Sequence, residues 1–470
     1  KEIIMTTDTI AAVATALSNS GIGIIRVSGN DAVPIVNTLF KNKKRQPLLE
    51  KMNSHTIQYG FIVNDQDEIV DEVMVSLMKA PRSFTTEDTV EINCHGGVLM
   101  INKIMGLLLS HGARLAEPGE FSKRAFLNGR IDLSEAEAVM DVIASENDMA
   151  LKNSMRQLQG SVSDKIKDLR AKILYEIAFI ESALDDPEHI SLDGYPEELE
   201  EKVDQLIKEI AALIETSENG KIIRDGIRTV IVGKPNAGKS SLLNLLAGEE
   251  KAIVTEIAGT TRDAIDSEFQ NEFGKYVFID TAGIRQTNDT IENLGIERTF
   301  QKMDQAYVIL WMIDSTDAQR RFEELKAEIL PHCEGKKMII LFNKSDLLLA
   351  TQKEELSAIF ADMKVEKLFI SAKKRENITI LEKKLVQAAA LPEINQNDII
   401  ITNVRHYEAL TRALDSIHRV QEGLQLGLSG DLVSEDLRQC IHELSEIVAE
   451  GGITSEETLQ NIFQNFCIGK

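Results

Sequence analysis

A run of eight residues near the middle of the chain has the residue types and spacing of a phosphate-binding loop. Gly233–Ser240 has the sequence GKPNAGKS, which matches the pattern GxxxxGK[ST]. The apolar run Thr229–Val232 precedes it and the helix-forming run Ser241–Leu246 follows it, as the motif requires. Glycines let backbone amides close around phosphate oxygens, while Lys239 is expected to reach the β- and γ-phosphates and Ser240 to bind Mg²⁺. The run predicts a site for a nucleoside triphosphate.

Three further motifs follow in order, each directly after a strand-like apolar run. Asp280–Gly283 can hold the water shell of Mg²⁺ through its aspartate and meet the γ-phosphate through its glycine amide. Asn343–Asp346 ends in an aspartate that can accept two N–H groups of guanine, which adenine cannot supply. Ser371–Lys373 can close the base pocket through backbone amides. Because carboxyl ends of parallel strands share one edge of a sheet, the four motifs together predict a guanine nucleotide.

The elements that must position these motifs change type along the chain. Up to about Asn128, short β-rich runs predict an α+β domain, and from Arg228 strands alternate with helices, which predicts a parallel, doubly wound sheet. Helical stripes lie on both sides of that sheet. The predicted fold is therefore multidomain α/β with an α-helical domain interrupted by an inserted Ras-like doubly wound domain, and the predicted ranges are 1–128, 129–225, 226–391 and 392–470.

Two details of the helical stripes are predicted from local signals. Ser134 and Glu137 have the spacing of a capping box at the start of the first helix. A second stripe begins near Pro196 with glutamates that complement the helix dipole, and Asn219-Gly220 predicts its end.

Composition limits the possible partners and compartments. The 470 residues carry 52 lysines and arginines against 75 aspartates and glutamates, a formal charge of −23, so RNA contact requires a local basic patch or a basic partner protein. The four cysteines form neither a disulfide framework nor a zinc motif, which favours a reducing cytoplasm. The longest apolar run, Ala306–Ile313, is too short for a membrane span, and we expect a soluble, unexported protein.

Three short sequence blocks point to one family among the proteins that bind guanine nucleotides. GTTRD at Gly259–Asp263, PGEFSKRAFLNGR at Pro118–Arg130 and CIGK at Cys467–Lys470 together resemble the MnmE (TrmE) family of tRNA-modification GTPases, one of the potassium-activated TrmE-Era-EngA-like group. The resemblance covers essentially the whole chain. It implies an N-terminal folate-binding and dimerisation domain, a helical domain and an inserted G domain that hydrolyses GTP.

The nucleotide contacts implied by the motifs and the resemblance include the P-loop, both switch segments and the base loops. These positions are Asn236, Ala237, Gly238, Lys239, Ser240, Ser241, Thr255, Glu256, Ile257, Ala258, Gly259, Thr260, Thr261, Asp280, Thr281, Ala282, Gly283, Asn343, Lys344, Ser345, Asp346, Ser371, Ala372 and Lys373.

The hydrolytic machinery differs from that of Ras-like enzymes. Ile284 occupies the place of their water-orienting glutamine, and an isoleucine cannot orient water. The resemblance implies instead that Glu292 positions the water, that Thr261 joins Ser240 on Mg²⁺, and that G-domain dimerisation closes the site around K⁺. The implied K⁺ ligands are the side chains of Asn236 and Thr260 and the carbonyls of Thr255 and Ile257.

The resemblance also implies a folate site in the first domain, for 5-formyl-tetrahydrofolate or a related one-carbon donor. The matching positions are Arg26, Glu91, Arg130 and Lys470. Their charges suit a ligand with an acidic tail and a pterin donor edge. From the residues alone, Arg26 and Glu91 could simply form a salt bridge with each other.

Two cysteines and a histidine are further candidates for chemistry. Cys467 is implicated in tRNA modification by the resemblance, although the residues alone indicate an ordinary thiol. Cys94-His95 follows an apolar strand, and with no ligand partner at suitable spacing nearby it predicts a structural turn.

The resemblance implies a GTP hydrolase that acts with an FAD- and NADH-using MnmG-type partner. Together they would add an aminomethyl or carboxymethylaminomethyl group at carbon 5 of the tRNA wobble uridine (U34), with tRNA held mostly through the complex. A homodimer in the cytoplasm, away from membranes, is expected. The alternatives are a GTP-switched scaffold or ribosome-assembly GTPase without one-carbon chemistry, and a folate aminomethyltransferase with an incidental GTPase.

Overall fold

The computed structural model describes most of the chain in two compact units. The described residues are 8–186, 188–189, 194–251, 267–271, 274–279, 300–301, 303–361, 363, 365–388, 399–449, 456–464, 466 and 469. The first unit comprises Lys1–Ile143, Gln157–Pro196 and Glu422–Lys470, and the second comprises Ala144–Arg156 and Glu197–Gln421. The four predicted domain ranges stay a prediction.

A seven-stranded mixed sheet forms the body of the first unit. Its strands are β1 Ile10–Val13, β2 Gly23–Ser28, β3 Phe40–Lys41, β4 Thr56–Val63, β5 Ile69–Met78, β6 Thr89–Cys94 and β7 Arg114–Leu115, in the spatial order β3-β4-β5-β6-β2-β1-β7. Three helices accompany them: α1 Ala32–Leu39, α2 Val98–Ser110 and α3 Glu120–Leu127. Alternate residues of β5, such as Val73, Val75 and Leu77, are buried with residues of α1 and α2 in one core, so one sheet face is covered by helices.

Longer helices follow the first sheet. They are α4 Leu133–Ala144, α5 Asp148–Leu158, α6 Ser161–Asp185 and α7 Tyr195–Asp225. The predicted capping box at the start of α4 is wrong by two residues. The Asp132 carboxylate accepts from the Glu135 N–H at 3.0 Å, and the Glu135 carboxylate accepts from the Asp132 N–H at 2.8 Å, so the reciprocal pair is Asp132 with Glu135.

The predicted end of α7 is also wrong, because the helix continues through Gly220 to Asp225. A Cβ at Gly220 would lie 2.0 Å from the Ile401 carbonyl oxygen. The glycine therefore permits a close approach between chain segments rather than stopping the helix.

A six-stranded sheet lies in the second unit. Its strands are β8 Ile227–Val232, β9 Ser267–Asn271, β10 Gly274–Ile279, β11 Val308–Asp314, β12 Lys337–Asn343 and β13 Glu366–Phe369, in the order β13-β12-β11-β8-β10-β9. The helices among them are α8 Lys239–Lys251, α9 Ala318–Ile329, α10 Ala350–Ile359 and α11 Ile378–Ala388. Five strands are parallel, as predicted for a doubly wound sheet, and separate apolar cores include alternate residues of β11.

The sheet departs from the all-parallel prediction at one edge, where β9 pairs antiparallel with β10. Only two residues separate β9 from β10, and so short a connection cannot make a parallel crossover.

The last helices are α12 Val404–Gln425, α13 Gly430–Val448 and α14 Glu456–Phe463. Within the first unit, α13 packs along α6. Across the described residues, no helix combines the length and apolar composition that crossing a membrane requires.

Candidate functional site

The phosphate-loop motif connects β8 to α8 at the carboxyl edge of the six-stranded sheet, as its sequence predicted. Gly233 has a φ of +148°, and a Cβ there would lie 2.2 Å from the Met312 carbonyl oxygen. Gly238 has a φ of +104°, and its Cβ would lie 2.2 Å from Asn343 Nδ2. Glycine is required at both positions because neighbouring strand ends press against the loop.

The loop lysine points back into the loop. Lys239 Nζ donates to the carbonyl oxygen of Gly233 and, at 3.0 Å, to that of Lys234. Burial lowers the pKa of this ammonium, because two neutral carbonyls do not replace its lost hydration. Negative phosphate oxygens at the same place would favour the charged form.

An open cavity of about 1110 Å³ joins three of the four predicted motifs. Its polar lining includes Asn236, Lys239, Ser240, Asn343, Asp346, Ser371 and Lys373. Four residues that no motif predicted, Phe300, Met303, Leu325 and Ile329, give part of the wall an apolar character. The volume and the mixed lining are those of a small-molecule site.

Asn343 ties the base loops to the phosphate loop. Its Nδ2 donates to the Ala237 carbonyl at 2.7 Å, and its Oδ1 accepts from the Ala372 N–H at 3.0 Å. The side chain is buried, so both bonds are protected from water. One asparagine thus fixes three separate segments of the site relative to one another.

Asp314 is a site residue that the sequence prediction missed. It ends β11, lies opposite Asn343 in the register, and accepts a 2.6 Å bond from Lys344 Nζ. Burial alone would raise the pKa of this carboxyl, but hydrogen bonds from Lys344 and Thr316 outweigh burial and hold the pKa below its ordinary value. Asp314 thereby orients the lysine of the base loop.

The remaining predicted nucleotide and ion positions lie outside the described residues. They are Thr255, Glu256, Ile257, Ala258, Gly259, Thr260, Thr261, Asp280, Thr281, Ala282, Gly283 and Glu292, together with Ile284. Cys467 and Lys470 also lie outside.

A second cluster of predicted residues lies on the sheet of the first unit. Arg26 and Glu91 are opposite one another on β2 and β6, and Arg26 Nε donates to Glu91 Oε1 at 2.9 Å. Arg26 Nη1 donates to the Gly469 carbonyl at 2.9 Å, next to the predicted position Lys470. The Arg26 guanidinium carbon also lies 5.6 Å from the centre of the Phe121 ring.

Arg130, the third described folate candidate, lies near the same aromatic side chains as Arg26. Its guanidinium donates to the Phe84 carbonyl at 3.0 Å and lies 5.1 Å from the centre of the Phe84 ring. Phe84 packs against the apolar cluster that contains Phe121. Two cations therefore flank one aromatic cluster, with the Glu91 carboxylate beside one of them.

His95 has a partner that the sequence prediction did not anticipate. Its Nδ1 lies 2.6 Å from Asp71 Oδ1, on the neighbouring strand β5. Cys94 is buried, and burial is the main reason that its pKa rises to about 11, so it remains a thiol. No group of three potential metal ligands occurs in the part of the chain that the structure describes.

Comparisons with known proteins match this chain over nearly its full length. A family model described as "MnmE helical domain" matches residues 133–467, and one described as "GTP-binding protein TrmE N-terminus" matches residues 9–130. A tRNA modification GTPase MnmE of Phocaeicola vulgatus is 61% identical over 98% of this chain and 99% of its own length. Proteins of the same description from Bacteroides thetaiotaomicron and Lachnoclostridium phytofermentans are each 48% identical over 99% of this chain and 100% of theirs. The chain belongs to the MnmE family of tRNA modification GTPases.

Proposed function

We propose that this GTPase works with an MnmG-type flavoprotein that uses FAD and NADH. The pair adds an aminomethyl or carboxymethylaminomethyl group at carbon 5 of the tRNA wobble uridine (U34), and a tetrahydrofolate supplies the one-carbon unit. The chain contributes the folate site and GTP-driven movement, as a cytoplasmic homodimer. We include Cys467 in this proposal as a thiol that takes part in the tRNA modification.

The folate-binding part of this proposal rests on one observation: Arg26, Glu91 and Arg130 lie close to the aromatic side chains of Phe84 and Phe121. A reduced folate has a flat pterin with N–H donors and an acidic tail. Glu91 offers an acceptor to the donors, the two arginines offer bidentate donors to carboxylates, and Phe84 and Phe121 offer apolar surface. These residues fit that ligand. When bound, the folate would supply an activated carbon that no side chain can provide.

For GTP hydrolysis, we assign separate roles to three residues of the P-loop. Lys239 would bind the β- and γ-phosphates, and Ser240 would bind Mg²⁺. Asn236 would bind a K⁺ ion that takes the place of an arginine finger. Asn236 has a φ of +62° and belongs to the cavity lining, which supports this assignment. The predicted switch positions, with Glu292 for the water, complete the proposed set.

The experiment for the folate half compares two arginine variants of the full-length protein. Arg26→Ala is expected to weaken binding of 5-formyl-tetrahydrofolate by at least tenfold, since it removes a bidentate charged partner worth about 1.5–3 kcal/mol. GTP affinity should not change. Arg45→Ala is the matched control, because Arg45 is exposed and bonds to the exposed Asp67, whose carbonyl oxygen lies at 2.9 Å and whose carboxylate lies at 3.5 Å. If the wild type binds no folate in calorimetry, the GTP-switched scaffold becomes the better assignment.

The GTP half is tested separately, by steady-state hydrolysis in KCl and in NaCl at equal ionic strength. We expect K⁺ to raise the rate by roughly tenfold or more, and Asn236→Ala to remove that stimulation, because catalysis of phosphoryl transfer depends mainly on stabilising charge at the transferred phosphate. Equal slow rates in both salts would contradict the K⁺ proposal.

Unimpaired tRNA modification by Lys239→Ala would instead favour a folate aminomethyltransferase with an incidental GTPase.

A further inference from the structure

The Arg26–Glu91 pair lies on the face of the first sheet that α1 and α2 do not cover. Val75 and Leu77 of β5 are buried with those helices, whereas Ser76 between them lies on the opposite face. Glu91 is directly opposite Arg26 on β2 and directly opposite Ser76 on β5. Side chains opposite one another in an antiparallel pair share a face, so all three lie on the same side of the sheet.

This face is closed on one side of the pair and open on the other. Ala12 of β1 lies opposite Arg26 and is buried in an apolar cluster. In the other direction, Ile57 of β4 lies opposite Ser76 and is 66% exposed. The open part of the face therefore begins at Glu91 and runs toward β4.

The neighbours of Glu91 on this face decide where a ligand bonded to it can extend. Arg26 is already its ion-pair partner, with Nε and Nη2 at 2.9 and 2.8 Å from Glu91 Oε1. Thr89, in one direction along β6, is 2% exposed, and its hydroxyl has partners in a buried cluster. Ser76 across from Glu91 and Asn93 in the other direction along β6 are half-buried. A flat ligand on Glu91 therefore extends over Ser76 and Asn93.

Polar groups without a hydrogen-bond partner among the described residues meet at this place. They are Glu91 Oε2, the Ser76 hydroxyl and Asn93 Oδ1. Asn93 Nδ2 donates to the Met74 carbonyl at 3.2 Å. Because a carbonyl can only accept, the amide nitrogen is assigned to that bond and the oxygen is left free. Asn93 thus presents an acceptor, while the Ser76 hydroxyl can donate as well as accept.

A reduced pterin matches this set of groups. Ser76 lies about 5 Å across the sheet from Glu91 and Asn93 about 7 Å along β6, distances that two fused rings span. The amino and ring N–H donors of a pterin suit the carboxylate, and its oxo oxygen lies beside them. The reduced ring carries a further N–H, whereas the oxidised ring has a bare nitrogen there whose lone pair an acceptor would repel.

We propose that Ser76 and Asn93 are specificity-determining residues of the folate site. The Ser76 hydroxyl donates to the oxo oxygen of the pterin, next to the N–H groups that Glu91 accepts. Asn93 Oδ1 accepts from the ring N–H that only the reduced pterin has, so the site selects reduced over oxidised folate. This inference rests on the proposed folate-dependent function.

The first test measures that selectivity in the full-length protein, by calorimetry with 5-formyl-tetrahydrofolate and with folic acid. Asn93→Ala should lower the ratio of the two affinities by roughly tenfold, because it removes a hydrogen bond to one ligand and a repulsion from the other. The ratio compares two ligands on one preparation, so partial unfolding of the variant does not alter it. Ile57→Ala is the matched control, because this exposed residue lies on the same face without a polar side-chain atom, and it should leave the ratio unchanged.

The second test concerns the serine hydroxyl. Ser76→Ala should weaken the binding of 5-formyl-tetrahydrofolate by about three- to tenfold, the effect of one neutral hydrogen bond. Ser76→Thr keeps the hydroxyl and suits a strand, so it should restore most of the affinity. A purely structural role of Ser76 would not make the affinity follow the hydroxyl in this way.

The outcomes separate this inference from the proposed function. An unchanged ratio in Asn93→Ala, or a loss in Ser76→Ala that Ser76→Thr does not restore, would overturn the inference. Folate binding that Arg26→Ala weakens would keep the proposed function in that case. If the wild type binds no folate, the proposed function is overturned, and the inference with it.

Discussion

Lys344 is held at the base pocket by a carboxylate that lies 30 residues earlier in the chain. Asp314 is buried, accepts from the Lys344 ammonium at 2.6 Å, and is itself held by Thr316. A flexible lysine stem gains a fixed direction from such a bond, because its four rotatable bonds are otherwise free. Asp314 thus orients a residue of the Asn343–Asp346 motif, which we predict to bind the guanine base.

We predict that Asp314→Asn weakens the binding of GTP and GDP equally, by about tenfold, since it removes a charge-assisted hydrogen bond worth roughly 1.5–3 kcal/mol. The rate at saturating GTP should not change, because Asp314 is not predicted to touch the phosphates. Titration with a fluorescent guanine nucleotide and steady-state kinetics check both statements.

Asp304→Asn is the matched control, because Asp304 is exposed and pairs with His332 and Lys336 rather than with a base-loop residue. Equal effects of the two variants on nucleotide affinity would contradict the prediction, as would a selective loss of GTP over GDP.

At the scale of residues, the sequence located the P-loop between a strand and a helix because the whole motif lies in one short segment. The P-loop glycines and Lys239 are contiguous, so their spacing alone defines the loop. Asp314 and Asp71 were missed because their partners lie 30 and 24 residues away on neighbouring strands. A lone aspartate at a strand end has no distinguishing local pattern, and only the register of the sheet brings it to its partner.

At the scale of elements, a charge network ties α3 to the edge of the first sheet. Arg124 is 3% exposed and donates to Asp8, Glu87 and Glu120. Glu120, also buried, accepts from Arg114 at 2.6 Å as well. Burial would raise the pKa of Glu120, but hydrogen bonds from Arg114, the Glu117 N–H and Arg124 outweigh burial and lower it. The network is therefore stabilising only while the carboxylate is ionised.

The sign of the pH dependence follows from the lowered pKa of Glu120. A group with a lowered folded-state pKa stabilises the fold above its unfolded pKa, and the contribution is lost as the pH falls through the folded value. Glu120→Gln is expected to reduce the free energy of unfolding by about 1.5–3 kcal/mol at pH 7. The difference from wild type should shrink below about pH 4.5.

Thermal unfolding of both proteins across that range measures this effect. Glu117→Gln serves as the control, because the exposed Glu117 contributes its backbone N–H and not its carboxylate to the network. A difference that stays constant as the pH falls would show that the Glu120 charge is not responsible.

The packing of α14 within the first unit depends on a glycine. Gly119 has a φ of +66°, and a Cβ there would lie 2.6 Å from the Phe463 carbonyl and 2.7 Å from Phe466 Cβ. Phe463 and Phe466 are buried and stack edge to face at 4.9 Å. Their packing leaves no room for a side chain at position 119.

Two glycine substitutions separate backbone strain from this clash. Gly129 has a similar φ of +73°, but a Cβ there meets nothing within 4 Å. We expect Gly119→Ala to cost about 1–3 kcal/mol more than Gly129→Ala, because only the first overpacks a neighbour. Hydrogen exchange of α14 should rise selectively in Gly119→Ala. Similar losses and similar exchange in both variants would assign the whole effect to backbone strain.

Prediction from sequence was most successful for long, strongly patterned elements. Two runs rich in strand-forming residues, Ile69–Met78 and Val308–Ile313, coincide with β5 and β11 to within one residue. The short strands β3 and β7 have two residues each, which is too few to show an alternation of apolar and polar residues. They exist because longer strands offer them hydrogen bonds, which is a tertiary effect that no local window contains.

At the scale of the whole molecule, the charge of −23 is the property most directly tied to tRNA. Affinity for a nucleic acid falls with salt in proportion to the number of phosphates neutralised. The densest local run of cations among the described residues of the first unit is Lys41–Arg45, where Asn42 accepts from two backbone N–H groups and fixes the turn. A first unit whose densest described run of cations is this short turn can neutralise few phosphates.

We therefore predict that this chain alone binds tRNA weakly and with a shallow salt dependence, a slope in log K against log[salt] of roughly −2 or less steep. Adding the proposed flavoprotein partner should raise the affinity and steepen the slope, because the partner supplies most of the cations. Fluorescence anisotropy with labelled tRNA at several salt concentrations measures both slopes. The double variant Lys43→Ala, Lys44→Ala tests the chain's own share: it should flatten the slope of the chain alone by up to about two and leave most of the slope of the complex. A steep slope for the chain alone would place the main tRNA surface on this protein, despite its charge, and would remove the division of labour from the proposed function.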